Sequence, residues 1–341
     1  MPTYRAFQVT GQQQFELVER EVVEPEPGHV RVRVLSCGVC HSDFLGVEGV
    51  RADPGQPVVP GHEIVGVVDV VGSGVTAWQV GDRVGLGYLG GPCGECSQCR
   101  RGDFVNCLNQ PQPGTTEDGG YAEMVYARAS GLVRVPEVMN PIEAAPLLCA
   151  GITTFNALRH ADAPPGAVVA IQGIGGLGHL GVQYATQLGY RTVAIARGPE
   201  KEELARSLGA EYYIDSAAVD PGAVLQDLGG AAVIVATAAS GASMSPLVAG
   251  LAPRGQLVVV GAGPDPISVQ TSDLIFGGRS IVGSLTGSSI ENEDNLAFSL
   301  AHGIKPMTEV MALDDAPKAY ERMMSGAARF RVVLDIASVD A

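Results

Sequence analysis

The stretch AIQGIGGLGHLG, residues 170–181, places Gly173, Gly175 and Gly178 in a G-x-G-x-x-G spacing. A chain with 45 glycines produces such spacings by chance. This one follows an apolar run, AVVAIQG (167–173), and opens a helical pattern, GLGHLGVQYATQLG (176–189), and that context gives it meaning. The first glycine makes the tight turn, the second lets the backbone approach a pyrophosphate, and the third lets helix and strand pack closely. The helix N-terminus stabilises the negative charge. Gly173, Gly175, Gly176, Leu177 and Gly178 are therefore candidate dinucleotide-binding residues. The bland alternative is a strand–turn–helix with no ligand.

The region around this motif supports it. RTVAIAR reads as a strand, PEKEELARSLGA as a helix that starts at Pro199 and stops at Gly209, and YYIDS, AAVIVAT and QLVVVGAG as further strands. Alternating strands and helices mean βαβ units and a doubly wound parallel sheet. An NAD-binding strand of this kind ends in an acid that takes the ribose 2′-OH. Here the second strand ends at Ala196 and is followed by Arg197, with no acid before Glu200. The missing carboxylate and Arg197 favour NADP(H) over NAD(H), with Ala196, Arg197 and Lys201 as candidate cofactor-binding residues; the alternative leaves Arg197 pointing into solvent.

Before residue 150 the pattern differs. HVRVRVLSCGV, HEIVGVVDVVGSG, GDRVGLGYLGG and YAEMVYARASGLVRVP are short, Val-rich runs bounded by Gly and Pro, and they read as β-strands. Near the C-terminus LDDAPKAYERMMSGAA (313–328) reads as a helix and RFRVVLDI as a strand whose composition matches the first half. With 341 residues the chain suits two domains. A net charge of −15 without a basic run argues against a nucleic-acid partner. No apolar stretch suits a membrane span, and the first residues lack a signal-peptide pattern. The expectation is a cytoplasmic protein whose seven cysteines serve as metal ligands rather than disulfides.

CGECSQCRRGDFVNC places Cys93, Cys96, Cys99 and Cys107 in one short loop. Four thiolates at this spacing are a closed tetrahedral zinc site with a structural role; an iron–sulfur cluster is the alternative. Cys37, Cys40 and Cys149 remain. Cys40 and Cys149 with His62 would make a Cys₂His set, which leaves a fourth zinc position open. These three lie too far apart in sequence for spacing to establish the set. Cys37 reads as a small buried hydrophobe.

CGVCHSD, PGHEIVG, GDRV, the four-cysteine lobe, CAGITT and GIGGLGHLGVQYA occur in one order along the chain. In these pieces the sequence resembles the zinc-dependent alcohol dehydrogenases of the medium-chain dehydrogenase/reductase superfamily. The resemblance implies a GroES-like, mostly-β catalytic domain (1–150 and 285–341, with the zinc lobe at about 91–108). It implies a Rossmann domain over 151–284. It further implies two zinc ions per chain and hydride transfer between NAD(P)H and a carbonyl carbon of a small alcohol or aldehyde. Carried over by position, Cys40, His62 and Cys149 bind the catalytic zinc, with Glu63 beside it. Asp43 fixes the His62 ring, Ser42 passes a proton, and His41 and Arg331 contact the cofactor phosphates. Asp43 as a turn residue and Ser42 as a local cap are the plain alternatives. A homodimer or homotetramer is implied, joined at an edge strand such as 280–285.

One position departs from the pattern. Many relatives carry a histidine three residues after the relay hydroxyl, and here that residue is Leu45. This shifts the expectation toward aldehyde reduction. A conjugated C=C reductase of the same superfamily and a non-catalytic nucleotide-binding protein are the competing readings.

Overall fold

In the run His29–Val39 the alternation HVRVRV puts Val30, Val32 and Val34 into a core while the arginines between them face outward. This strand organises the first of two units into which the chain divides, Met1–Cys149 with Gly287–Ala341. The second unit is Ala150–Thr286. The structure is a computed structural model that describes residues 1–50 and 56–337.

In chain order, β1 (Thr3–Val9) and β2 (Phe15–Glu21) form an antiparallel hairpin. β3 (His29–Val39) pairs antiparallel with β4 (Glu63–Val71), and β4 with β5 (Arg83–Leu86). β6 (Met124–Arg128) adds to β3 and β7 (Leu132–Arg134) to β5. The second unit holds β8 (Val168–Gln172), β9 (Arg191–Ala196), β10 (Tyr212–Asp215), β11 (Ala231–Ala236), β12 (Leu251–Val259) and β13 (Ser280–Gly283). They form one parallel sheet in the order β10-β9-β8-β11-β12-β13. The chain then returns to the first unit. β14 (Thr308–Ala312) lies parallel to β15 (Arg331–Asp335), and β15 pairs antiparallel with β3.

The parallel sheet explains where a ligand goes. Its strand order reverses between β8 and β11, and in such sheets the crevice forms beyond the carboxyl ends of the strands flanking that point. All five residues of β8 are buried, as expected for a strand covered on both faces.

Several element bounds differ from the sequence reading. The run 121–136 is two strands split by a turn at Ala129–Gly131. The strand expected over 81–91 spans only Arg83–Leu86, and at Gly87 the Leu148 carbonyl lies 2.7 Å from where a Cβ would stand. The late helix spans Ala316–Met324, preceded by a 3₁₀ turn. The helix Ser289–His302 went unread, although Ser288 and Glu291 form a capping box at its start. Among the described residues no helix is long and apolar enough to cross a membrane.

Ile171, fully buried in β8, packs against the helix that follows the glycine loop. Ile171→Ala should destabilise the chain by about 2–5 kcal/mol, read as a lower denaturation midpoint.

Candidate functional site

Two clusters of metal-ligating side chains stand out among the described residues, both in the first unit. The ligand atoms of Cys40, His62, Glu63 and Cys149 lie within 4.8 Å of one another, and so do those of Cys93, Cys96, Cys99 and Cys107. All seven cysteines are free.

The first cluster follows from local folding. β3 and β4 pair so that Gly38 faces Glu63. A Cβ on Gly38 would overlap the Glu63 carboxylate, so glycine at this position gives the acid its place. Beyond β3, a 3₁₀ turn at His41–Asp43 lets the Asp43 carboxylate accept the Cys40 N–H at 2.9 Å. The other Asp43 oxygen meets His62 Nδ1 at 2.8 Å. The Tyr121 hydroxyl, fully buried, donates to Asp43 at 2.8 Å. With Nδ1 engaged, His62 Nε2 is buried with no hydrogen-bond partner among the described residues. It belongs to the same group as the two thiols, whose sulfurs are 3.9 Å apart. A buried, unpaired ring nitrogen is costly, and a metal ion would satisfy it. A tetrahedral zinc with Zn–S bonds of about 2.3 Å sets its sulfurs about 3.8 Å apart, so the donor set fits that ion.

The buried groups shift one another in opposite directions. The bond shared with Cys149, then the nearby His62, hold the Cys40 thiol well below its ordinary range, while the same shared bond pushes Cys149 up. Burial alone would lower His62, but Asp43 and Cys40 outweigh it and raise the ring. Burial pushes Glu63 up to about 8, against the opposing pull of Arg331. Burial likewise pushes the Cys37 thiol up, and Cys37 packs in the core as a small hydrophobe.

The Arg331 guanidinium is buried and paired with Glu63. A carboxylate buried this deeply needs a compensating charge, and Arg331 supplies it. His41 is exposed, its ring 5.7 Å from that of Phe44, and the Ser42 hydroxyl makes no bond among the described residues. Tyr88 was missed: its ring meets His62 edge-on at 5.2 Å. An isolated Tyr in a Gly-rich run carried no signal of this.

In the second cluster the Cys93–Cys107, Cys93–Cys99 and Cys96–Cys107 sulfurs lie 3.6, 4.0 and 4.0 Å apart. These distances fit the edges of a zinc–thiolate tetrahedron. A multi-iron cluster would hold its cysteines on separate irons and farther apart. Backbone N–H groups of Cys96, Cys99 and Leu108 point at sulfurs, at 3.4–3.5 Å. Backbone N–H groups from Glu95 and Cys96 bring Cys93 down to about 6.

In the second unit the glycine loop borders a pocket of about 960 Å³. Gly173 has φ +89°, and a Cβ there would stand 2.8 Å from Thr237 Oγ1. A Cβ on Gly178 would overlap the Gly173 carbonyl, so this glycine sets the closeness of helix and strand. Nothing lies within 4 Å of a Cβ on Gly175, which faces open space of the kind a phosphate needs. Gly176, Leu177, Ala196, Arg197 and Lys201 also line the pocket. Lys201 Nζ donates to the Ile174 carbonyl at 2.7 Å, bracing the loop. His179, read as a helix residue, is fully buried with Nδ1 2.9 Å from the Gly175 carbonyl.

The turn after β9 holds residues that the sequence did not reveal. Gly198 donates its N–H to Asp215 at 2.7 Å, and its carbonyl accepts from the Tyr213 hydroxyl at 2.6 Å. The Glu200 carboxylate folds over Gly198 and lines the pocket.

Comparison with known proteins agrees with this geometry. Residues 26–137 match the family model of the alcohol dehydrogenase GroES-like domain, and 176–301 that of the zinc-binding dehydrogenases. The chain is 44% identical over 318 residues to alcohol dehydrogenase patD of Penicillium expansum, with 93% of each chain covered. A cinnamyl alcohol dehydrogenase of Sorghum bicolor superposes with TM-score 0.88 at 32% identity, covering 98% of both chains. A CAD from Helicobacter pylori complexed with NADP(H) gives 0.83 at 27%, again over 98% of both.

Two glycines should behave oppositely. Gly178→Ala should lower the melting temperature, since its Cβ has no room. Gly175→Ala should leave melting unchanged and weaken dinucleotide binding, measured by fluorescence titration.

Proposed function

The chain belongs to the zinc-dependent alcohol dehydrogenases of the medium-chain dehydrogenase/reductase superfamily, and from that premise we propose that it works as an NADPH-preferring aldehyde reductase with two zinc ions per chain. The observation that carries the metal assignment is the buried, unpartnered His62 Nε2 grouped with two thiols. We assign Cys40, His62 and Cys149 to the catalytic zinc, and Cys93, Cys96, Cys99 and Cys107 to the structural one. When bound, zinc supplies a Lewis acid for the substrate oxygen and the nicotinamide supplies hydride.

The chain's own residues do the rest. Asp43 holds the His62 ring in the orientation and tautomer that leave Nε2 free for metal. Glu63 places a carboxyl beside the ligands, its charge offset by Arg331. Ser42, whose hydroxyl makes no bond among the described residues, gives a proton to the forming alkoxide. With Leu45 in place of a relay histidine, that proton comes from water or from His41. Gly175 and the helix Gly178–Gln187 hold the pyrophosphate.

Arg197, exposed at the rim where β9 ends in Ala196, supports a preference for the 2′-phosphate. One observation favours NAD(H) instead: the Glu200 carboxylate over Gly198 stands where an acid could take a ribose 2′-OH. In this reading residues 151–284 form the cofactor domain and the remainder the catalytic domain. The chain assembles as a homodimer or homotetramer through the edge strand β13, whose neighbour Phe276 is 90% exposed. A reducing cytoplasmic setting suits its seven free thiols.

Initial rates on a panel of aliphatic and aromatic aldehydes, with NADPH and NADH in parallel, test the reading. We expect at least about tenfold preference for NADPH, equivalent to about 1.4 kcal/mol. Arg197→Ala should remove most of it by raising KM for NADPH alone. A preference for NADH that Glu200→Gln abolishes would establish the opposite assignment. Cys40→Ser should lower the zinc content and abolish turnover.

A further inference from the structure

Cys149 sits on an unusual piece of backbone. The helix Pro141–Pro146 runs into a π turn, Leu147–Gly151, before α-helical geometry resumes at Ile152. A π turn carries an extra residue and is less favourable than the α-helical path it interrupts. Something outside the segment has to hold it.

The helix Ser289–His302 brings two asparagines to this turn, one helical turn apart on the same face. Asn295 Nδ2 donates to the Leu147 carbonyl at 3.0 Å, and Asn292 Nδ2 to the Leu148 carbonyl at 3.1 Å. Asn295 Nδ2 also donates to Asn292 Oδ1 at 3.2 Å, which fixes which way the second amide faces. Both side chains are buried, Asn295 completely and Asn292 to 4% exposure. Gly87 leaves the room in which the Leu148 carbonyl sits. Burying two amides costs free energy that apolar residues would not cost, unless each makes its bonds.

The bonds fall on consecutive peptide groups. The Leu147 carbonyl belongs to the peptide that enters Leu148, and the Leu148 carbonyl to the peptide that enters Cys149. Fixing both planes sets the backbone at Leu148 and the place of the Cys149 Cα, so that only φ and χ1 of Cys149 remain to bring Sγ 3.9 Å from the Cys40 sulfur. We propose that Asn292 and Asn295 are positioning residues that lock the π turn and aim Cys149 at the metal. This rests on the zinc assignment above. In this role the asparagines act through the Leu147 and Leu148 carbonyls.

The test is metal retention by the full-length protein loaded with zinc. Zinc release into a chelator is followed over time for the unaltered protein, Asn295→Leu and Asn292→Leu, and thermal melting is recorded for each. The four-cysteine lobe serves as the internal control. We expect one zinc per chain to leave about tenfold to a hundredfold faster in each variant, while the second leaves at its original rate. With cobalt in place of zinc, the thiolate-to-cobalt charge-transfer band of the Cys₂His site should shift, because it reports sulfur geometry. Release at the original rate with an unshifted band would overturn the proposal. So would equal acceleration of both ions alongside a fall in melting temperature, since that is a general loss of stability. Should Asn295→Leu not fold, Asn292→Leu, the less enclosed position, decides by the same criteria. An unaltered protein that never holds a second zinc would instead sink the metal assignment itself.

Discussion

The costliest feature of this structure is the burial of His62, Glu63, Asp43 and Arg331 in one place, and much of the first unit is arranged around keeping it paired. Uncompensated, any of these charges would cost several kcal/mol, and removing one partner of such a set costs about 3–5 kcal/mol. The set closes on itself. Asp43 takes His62 on one oxygen, and Tyr121 and the Cys40 N–H on the other. Arg331 reaches Glu63 from β15, the strand that the C-terminal segment adds beside β3. Among the buried atoms left without a hydrogen bond are Arg331 Nε, His62 Nε2 and one Glu63 oxygen, and the last two lie on residues that group with the thiols.

This explains why CGVC is not a redox pair. In a strand, residues three apart point to opposite faces, and here the second cysteine has already left β3. Cys37 goes into the core beside Ile64, while Cys40 turns into the ligand group. Gly38 between them is small because the Glu63 carboxylate occupies its face. The same logic runs through the second unit. Gly173 is a glycine for its backbone angle, Gly178 for close approach and Gly175 for the space in front of it.

What was legible in the sequence was what local spacing encodes. The four-cysteine loop folds on itself within fifteen residues, from Cys93 to Cys107, and the glycine motif is one strand–turn–helix. Cys40, His62 and Cys149 were legible through resemblance; no spacing marks them. The supporting residues were not legible. Arg331 meets Glu63 across 268 positions, Tyr121 meets Asp43 across 78, and Asn295 meets Leu147 across 148. None belongs to a short pattern, and each becomes visible only when the sheet sets its register. The π turn has no sequence signature at all, since it depends on a helix nearly 150 residues away.

Cofactor choice turns on charges that are poorly placed to be decisive. At the rim of the pocket, Lys201 braces the Ile174 carbonyl and Asp215 caps Gly198 and Ala217. That leaves Arg197 and Glu200, of opposite sign and both exposed, with no side-chain hydrogen bond among the described residues. In water a unit charge about 4 Å from another contributes about 1 kcal/mol, and salt screens it further. A protein carrying −15 overall also opposes the approach of a more highly charged cofactor. Strong selectivity for the 2′-phosphate therefore requires Arg197 to exchange free Coulomb attraction for direct hydrogen bonds, which at a charged acceptor contribute about 1.5–3 kcal/mol. The anchored Gly198 peptide makes that exchange geometrically feasible, because the residue before it cannot drift away from the rim.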